Sequence, residues 1–208
     1  MPFLIGGTPA SLEFAARPVT FTVMGTHLRK LYPVVTALLL TVGNSLPGLA
    51  QSSIDEMLGA LRDAQPAEAP RLSREIEREW SKSGSTSIDM LLRRGREALE
   101  EGQVDIAIEH FTAVTDHAPD FAEGWHARAT AFYMKGLYGP ALDDLQRALI
   151  LNPDNYNAIF GLGVILQELG DYALAQKAFR QVLDLNPNHE NASKALEQLK
   201  TKGIGREL

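Results

Sequence analysis

The 208 residues contain no cysteine. This rules out disulfide frameworks, thiol chemistry and cysteine-based zinc sites, and with them the lipid-bearing cysteine of a bacterial lipoprotein. Long apolar runs are also scarce. The run from Leu31 to Val42 is well short of the roughly 20 apolar residues that a membrane-spanning helix needs. The chain has no Gly-x-Ser-x-Gly elbow and no phosphate loop. Gly161-x-Gly163 is a lone glycine pair inside a helical pattern, without the preceding strand that a dinucleotide site requires. Of the five histidines, His110 and His117 share one helix face, but no cysteine or carboxylate cluster joins them at a ligand spacing. Glu100-Glu101 and Asp143-Asp144 are adjacent in sequence, so on a helix their side chains diverge and neither makes an acid/base pair. We therefore expect no catalytic residues, no metal and no cofactor.

Acidic residues outnumber basic ones, 26 to 20. Beyond residue 50 the excess grows, with 25 acidic residues facing 17 basic ones. Such a surface repels the phosphates of nucleic acids and anionic membranes, so neither is an expected partner.

The strongest positive signal is a repeat of 34 residues. Ala107, Phe111 and Pro119 recur as Ala141, Leu145 and Pro153, then as Ala175, Phe179 and Pro187. The same period joins Leu91, Trp125 and Ile159; Gly95, Ala129 and Gly163; Ala98, Phe132 and Leu166; the turn glycines Gly102, Gly136 and Gly170; and Val114, Ala148 and Val182. A period of this length marks a stacked array whose units bury their apolar stripes only against neighbours. Each unit reads as two helices with glycine at the turn, where left-handed backbone costs it least. The proline ends the unit because it lacks the N–H a helix needs. Small residues such as Ala129, Ala141 and Gly163 mark close helix contacts, and Trp125 is expected in the core beside them.

This pattern resembles the tetratricopeptide repeat (TPR) family, with Trp125, Ala129, Phe132, Ala141 and Pro153 matching its motif position by position. Arg94 and Arg128 stand where the family prefers leucine, which predicts looser packing there. The resemblance implies an all-α fold, a right-handed superhelical stack of antiparallel helix pairs. It sets repeats at 88–121, 122–155 and 156–189, with a capping helix and tail over 190–208. It also implies a concave groove lined by the first helix of each repeat. Carried onto this chain, the groove comprises Leu92, Arg96 and Leu99 from repeat 1, and Glu123, His126, Thr130, Tyr133 and Met134 from repeat 2. Repeat 3 adds Asn157, Phe160, Val164 and Gln167, and the last helix adds Lys194. An apolar middle with charged ends suits an amphipathic helix or an extended peptide with apolar anchors. Some members of the family clamp a peptide's terminal carboxylate with basic residues here. Leu92 and His126 stand where that set would begin, which argues against this mode.

The front of the chain follows other rules. His27, Arg29 and Lys30 precede the apolar run, and Gly48-x-Ala50 follows it. Basic, apolar, then small is the order of a secretory signal peptide. We expect residues 24–50 to be that signal, cleaved after Ala50, with an uncleaved anchor as the alternative. Residues 1–23 are expected to be a mis-assigned start or a leader. Residues 51–87 carry a capping-box pattern at Ser53–Glu56 and an Ile54, Met57, Leu58, Leu61 stripe. A second stripe, Leu72, Ile76 and Trp80, follows a polar linker. This segment reads as a helical hairpin that either caps the array or lies in a groove, its own or a partner's. Together these features predict a periplasmic adaptor or scaffold for a protein or peptide partner, not inserted in the membrane once cleaved. The alternative is a regulatory accessory subunit of an envelope enzyme or transport complex that docks through the hairpin.

Overall fold

The computed structural model describes residues 47–201; the expected leader and nearly all of the expected signal peptide lie outside them. The described residues form nine helices: α1 (Pro47–Arg62), α2 (Ala69–Trp80), α3 (Thr86–Glu100), α4 (Val104–His117), α5 (Ala122–Met134), α6 (Tyr138–Leu151), α7 (Tyr156–Glu168), α8 (Tyr172–Leu185) and α9 (Glu190–Thr201). No strand occurs among them. Helices α3–α4, α5–α6 and α7–α8 are antiparallel pairs that stack in chain order, so the fold is an all-α repeat stack.

The 34-residue columns have direct physical counterparts. Gly102, Gly136 and Gly170 end the first helix of each pair at φ of 73°, 75° and 81°, the left-handed backbone that favours glycine. Sixteen residues separate each small first-helix residue from the large residue it faces on the second helix. A Cβ added to Gly95 would lie 2.3 Å from the Phe111 ring, and one added to Gly163 would lie 2.6 Å from the Phe179 ring. Repeat 2 has Ala129 at this column and Leu145 opposite, both in one core cluster. A larger partner is thus met by a smaller residue, which keeps the shared volume roughly constant at interior packing density. Asn155 and Asp171 cap α7 and α8 by accepting from the backbone N–H of Ala158 and Leu174. His189 caps α9 in the same way, its Nδ1 accepting from the Ala192 N–H at 3.1 Å.

Three local expectations need correction. Ser53 does not open a helix, because α1 has already begun at Pro47. Asp120 and Glu123, whose spacing reads as a capping box opening the next helix, do not form one. Phe121 is the cap residue with no side-chain bond, and the Glu123 carboxylate turns inward to Arg96 and His126 instead. Trp125 is half-buried and not part of the core. Its indole Nε1–H donates to the Pro119 carbonyl at 2.9 Å, and its ring carries the Arg128 guanidinium 5.0 Å from its centroid.

Arg128 is not a loose spot. Its Nε and Nη2 grip both Asp144 oxygens at 2.7 and 2.8 Å, and Nη1 donates to Thr115 Oγ1 at 2.8 Å. The Asp144 side chain is only 6% exposed. A bidentate ion pair therefore holds α5 to α6 where the family places leucine. The bonds to Asp144 push the Arg128 pKa above its usual value against the opposing effect of burial.

The hairpin α1–α2 has its seat at the far end of the chain. Leu58, Leu61, Ala69 and Ile76 share one core cluster with Tyr156, Ile159, Phe179 and Val182 of repeat 3 and with Ala192 and Leu199 of α9. The cluster of repeat 1 includes none of the hairpin's residues. Polar contacts fix the placement. Asn188 Nδ2 donates to the Ala64 carbonyl at 2.9 Å, and Asn186 Nδ2 to Ser73 Oγ at 3.3 Å.

Candidate partner-binding face

The first helices of the pairs, α3, α5 and α7, neighbour one another and form one face of the stack. On this face an open trough of about 450 Å³ lies between α5 and α7. Ala129, Tyr133, Leu145, Phe160, Gly161, Val164 and Ile165 supply its apolar walls, and His126, Thr130 and Asn157 its polar edge. Gly161 leaves room because only Leu145 methyl groups, 3.7 Å or more away, would meet a Cβ there. Tyr133 stacks on Tyr138 with ring centroids 5.8 Å apart, which orients it at one end of the trough. Burial raises its hydroxyl pKa, helped by the nearby Glu168 carboxylate, so it stays a neutral donor. Phe160 is braced by the Phe179 and His189 rings at 5.5 and 5.1 Å.

A second, polar hollow of about 520 Å³ adjoins the first, sharing His126 and Asn157 with it. Glu77, Arg78, Trp80 and Ser81 of the hairpin segment form one wall, and Arg96 and Glu123 the other. Glu123 is the organising charge. Its carboxylate accepts from Arg96 Nη2, lies 3.1 Å from His126 Nδ1 and is within 3.5 Å of Asn155 Nδ2. Burial pushes its pKa up, but His126 and Arg96 outweigh this and hold it below the usual carboxylate range. The pair network therefore contributes stability at neutral pH that is lost as pH falls through that lowered value.

The structure brings together His126, Thr130, Tyr133, Asn157, Phe160 and Val164 in the trough, with Arg96 and Glu123 in the adjoining hollow. It separates the rest. Leu92 is 1% exposed and is not free to meet a partner, and Leu99 is partly buried against the same cluster. Met134 is exposed at the end of α5, outside the walls of the trough. Lys194 is a solvent-exposed member of an ion pair with Glu190. Gln167 has its Oε1 buried without a hydrogen-bond partner and is also not a trough wall. Sequence reasoning missed Ala129, Leu145, Gly161 and Ile165, which it assigned to packing or passed over. It also missed Trp80 and Glu77, which lie outside the repeat register and carry no periodic signal.

Two tetratricopeptide repeat models match the chain, one over residues 92–156 and one over 132–199. A TPR repeat-containing protein of Rhizobium etli is 30% identical over 153 residues, which cover 73% of this chain and 75% of that protein. The chain belongs to the tetratricopeptide repeat family. Rat DnaJ homolog subfamily C member 3 is 32% identical over 115 residues, which cover 55% of this chain but only 23% of that larger protein. Among solved structures, the first TPR domain of RPAP3, bound to the HSP90 peptide SRMEEVD, superposes with a TM-score of 0.54 at 25% identity. It covers 55% of this chain and 91% of its own. The P58(IPK) TPR domain gives a TM-score of 0.52 at 30% identity, covering 57% of this chain and 33% of that one.

Proposed function

We propose that this chain is a protein-binding adaptor that holds an apolar segment of a partner protein in the trough between α5 and α7. The observation that carries this is the trough itself, an open and mostly apolar slot with Tyr133 and Phe160 at its walls and only His126, Thr130 and Asn157 as further hydrogen-bonding side chains. Aromatic walls flanking a slot are where interface energy usually concentrates. Solved TPR neighbours support the reading, because the two RPAP3 domains bind the HSP90 peptide SRMEEVD and the HSP70 peptide SGPTIEEVD. The occupant here differs in kind from those acidic tails. Leu92 is buried and His126 faces Glu123, so no basic clamp waits for a terminal carboxylate. Pull-down from a periplasmic extract, compared between the wild-type chain and Tyr133→Ala, tests the site. The partner retained by the wild type should bind the variant more weakly by roughly 1–3 kcal/mol on titration, with an unchanged circular dichroism spectrum. Equal affinity moves the site off this trough.

We further propose that the adaptor works in the periplasm, delivered by the segment 24–50. The support is the order of basic cluster, apolar run and small residues just after Met24. Cleavage after Ala50 would remove only the first turn of α1 and keep its Ile54, Leu58 and Leu61 stripe. N-terminal sequencing of the exported protein should begin at Gln51; a product that retains residues 1–23 overturns this.

A further inference from the structure

Helix α2 has the pattern of a ligand for the face on which it lies. It falls outside the 34-residue register, yet it spans the edge of the stack from α9's turn to repeat 1. Ser73 meets Asn186, Glu77 meets Tyr156 and Asn157, and Ser81 meets Arg96. Its apolar stripe faces inward. Ile76 is fully buried, Leu72 packs on the same cluster, and the Trp80 ring is 5.1 Å from that of Tyr156. Its polar anchor is a single carboxylate. Glu77 Oε1 accepts from Asn157 Nδ2 at 2.9 Å and from Tyr156 Oη at 3.2 Å. Asn157 is also an edge residue of the trough, so the seat of α2 and the proposed partner site are continuous. The outer face of α2 is charged and pairs within itself or with the following loop, Arg71 with Glu75 and Lys82 with Glu79. Lifting the helix would uncover its own stripe and the apolar cluster beneath it, so the seat can open only when another apolar helix covers it. The loop to α3 holds Gly84 at φ 82°, a backbone that glycine adopts and leaves at low cost.

We propose that α2 is an intramolecular occupant of the inner face, and that the partner is an amphipathic helix of the same pattern. That pattern is an apolar residue, a second four positions on, a carboxylate next to it and an aromatic three further, as in Leu72, Ile76, Glu77 and Trp80. This rests on the adaptor reading above and names the chemistry of its partner. The partner displaces α2 and extends from its seat into the trough, so binding is a competition set by how well α2 holds.

The test is fluorescence anisotropy with a fluorescein-labelled peptide of residues 69–82, titrated with the full chain. The wild type, whose seat is filled, should bind it weakly. Trp80→Ala and Glu77→Ala chains should each bind it at least tenfold more tightly, and a peptide carrying Ile76→Asp should bind none of them. Arg93→Ala, on the exposed side of α3 in a pair with Glu97, touches neither the trough nor the seat, so it should leave peptide affinity unchanged. The trough is judged by the partner titration and the seat by this one, which keeps the two failures distinct. Equal peptide affinity for the wild type and both variants overturns the proposal. So does a loss of helix in both variants that extends beyond α2, since α2 would then be a fixed part of the fold.

Discussion

Replacing Asp144 with alanine should destabilise the folded chain by about 3–5 kcal/mol, because it strands a charge in a place that water scarcely reaches. The Arg128 side chain is 15% exposed, and once its bidentate carboxylate is gone it keeps the Thr115 and Thr112 hydroxyls, two aromatic faces and the more distant Asp116 charge. A buried ion pair is expensive to form, and removing one half keeps the desolvation cost while discarding the attraction that offset it. Removing both halves is different. Arg128→Met with Asp144→Leu should cost much less than the single change, since apolar residues of similar volume leave no unpaired charge behind. Urea denaturation of the three proteins checks this. If Asp144→Ala costs under 1 kcal/mol, the pair is surface-like and the burial assigned to it is wrong.

Phe179→Ala should cost about 3–5 kcal/mol, since the ring is fully buried and its loss leaves a cavity between α7, α8 and α9. The informative companion is a swap that imports the repeat 2 pair into repeat 3. Gly163→Ala alone puts a methyl 2.6 Å from the Phe179 ring and should destabilise by roughly 1–3 kcal/mol through overpacking. Gly163→Ala with Phe179→Leu recreates Ala129 opposite Leu145 and should recover much of that loss. A cycle that shows simple additivity would mean the two positions do not share one volume.

These residues show how far the sequence could be read. The helix pairs, their turns and their order followed from columns in which glycine, alanine and proline have a backbone or volume reason to recur. The Gly–Phe and Ala–Leu exchange across sixteen residues was present in the sequence as well, because constant packing volume couples those two columns. Part of the trough was legible for the same reason, since Tyr133, Phe160 and Val164 take their direction from the helix period. Leu92 is buried in a cluster that joins Phe111 and Val114 of its own repeat to Ala127 and Ala131 of repeat 2, a contact that appears only once α5 lies against repeat 1. Arg128 failed because its charge pairs with Asp144, a residue whose significance appears only once α5 lies against α6. The placement of α2 was not legible at all, because no local signal says which of three similar repeats a lone amphipathic stripe will choose.

That choice affects how the chain comes to be folded. In an ordinary solenoid each unit touches only its neighbours, so structure grows outward from any point and frays from the ends. Here the first two described helices pack against repeat 3 and α9, with hydrogen bonds joining residues 113 and 124 positions apart. The stripe of Leu58, Leu61 and Ile76 therefore stays uncovered until repeat 3 and α9 have emerged and formed. During that interval it is the segment most exposed to aggregation. Closing that contact is a long-range step, the kind that slows folding relative to the local pairing within each repeat.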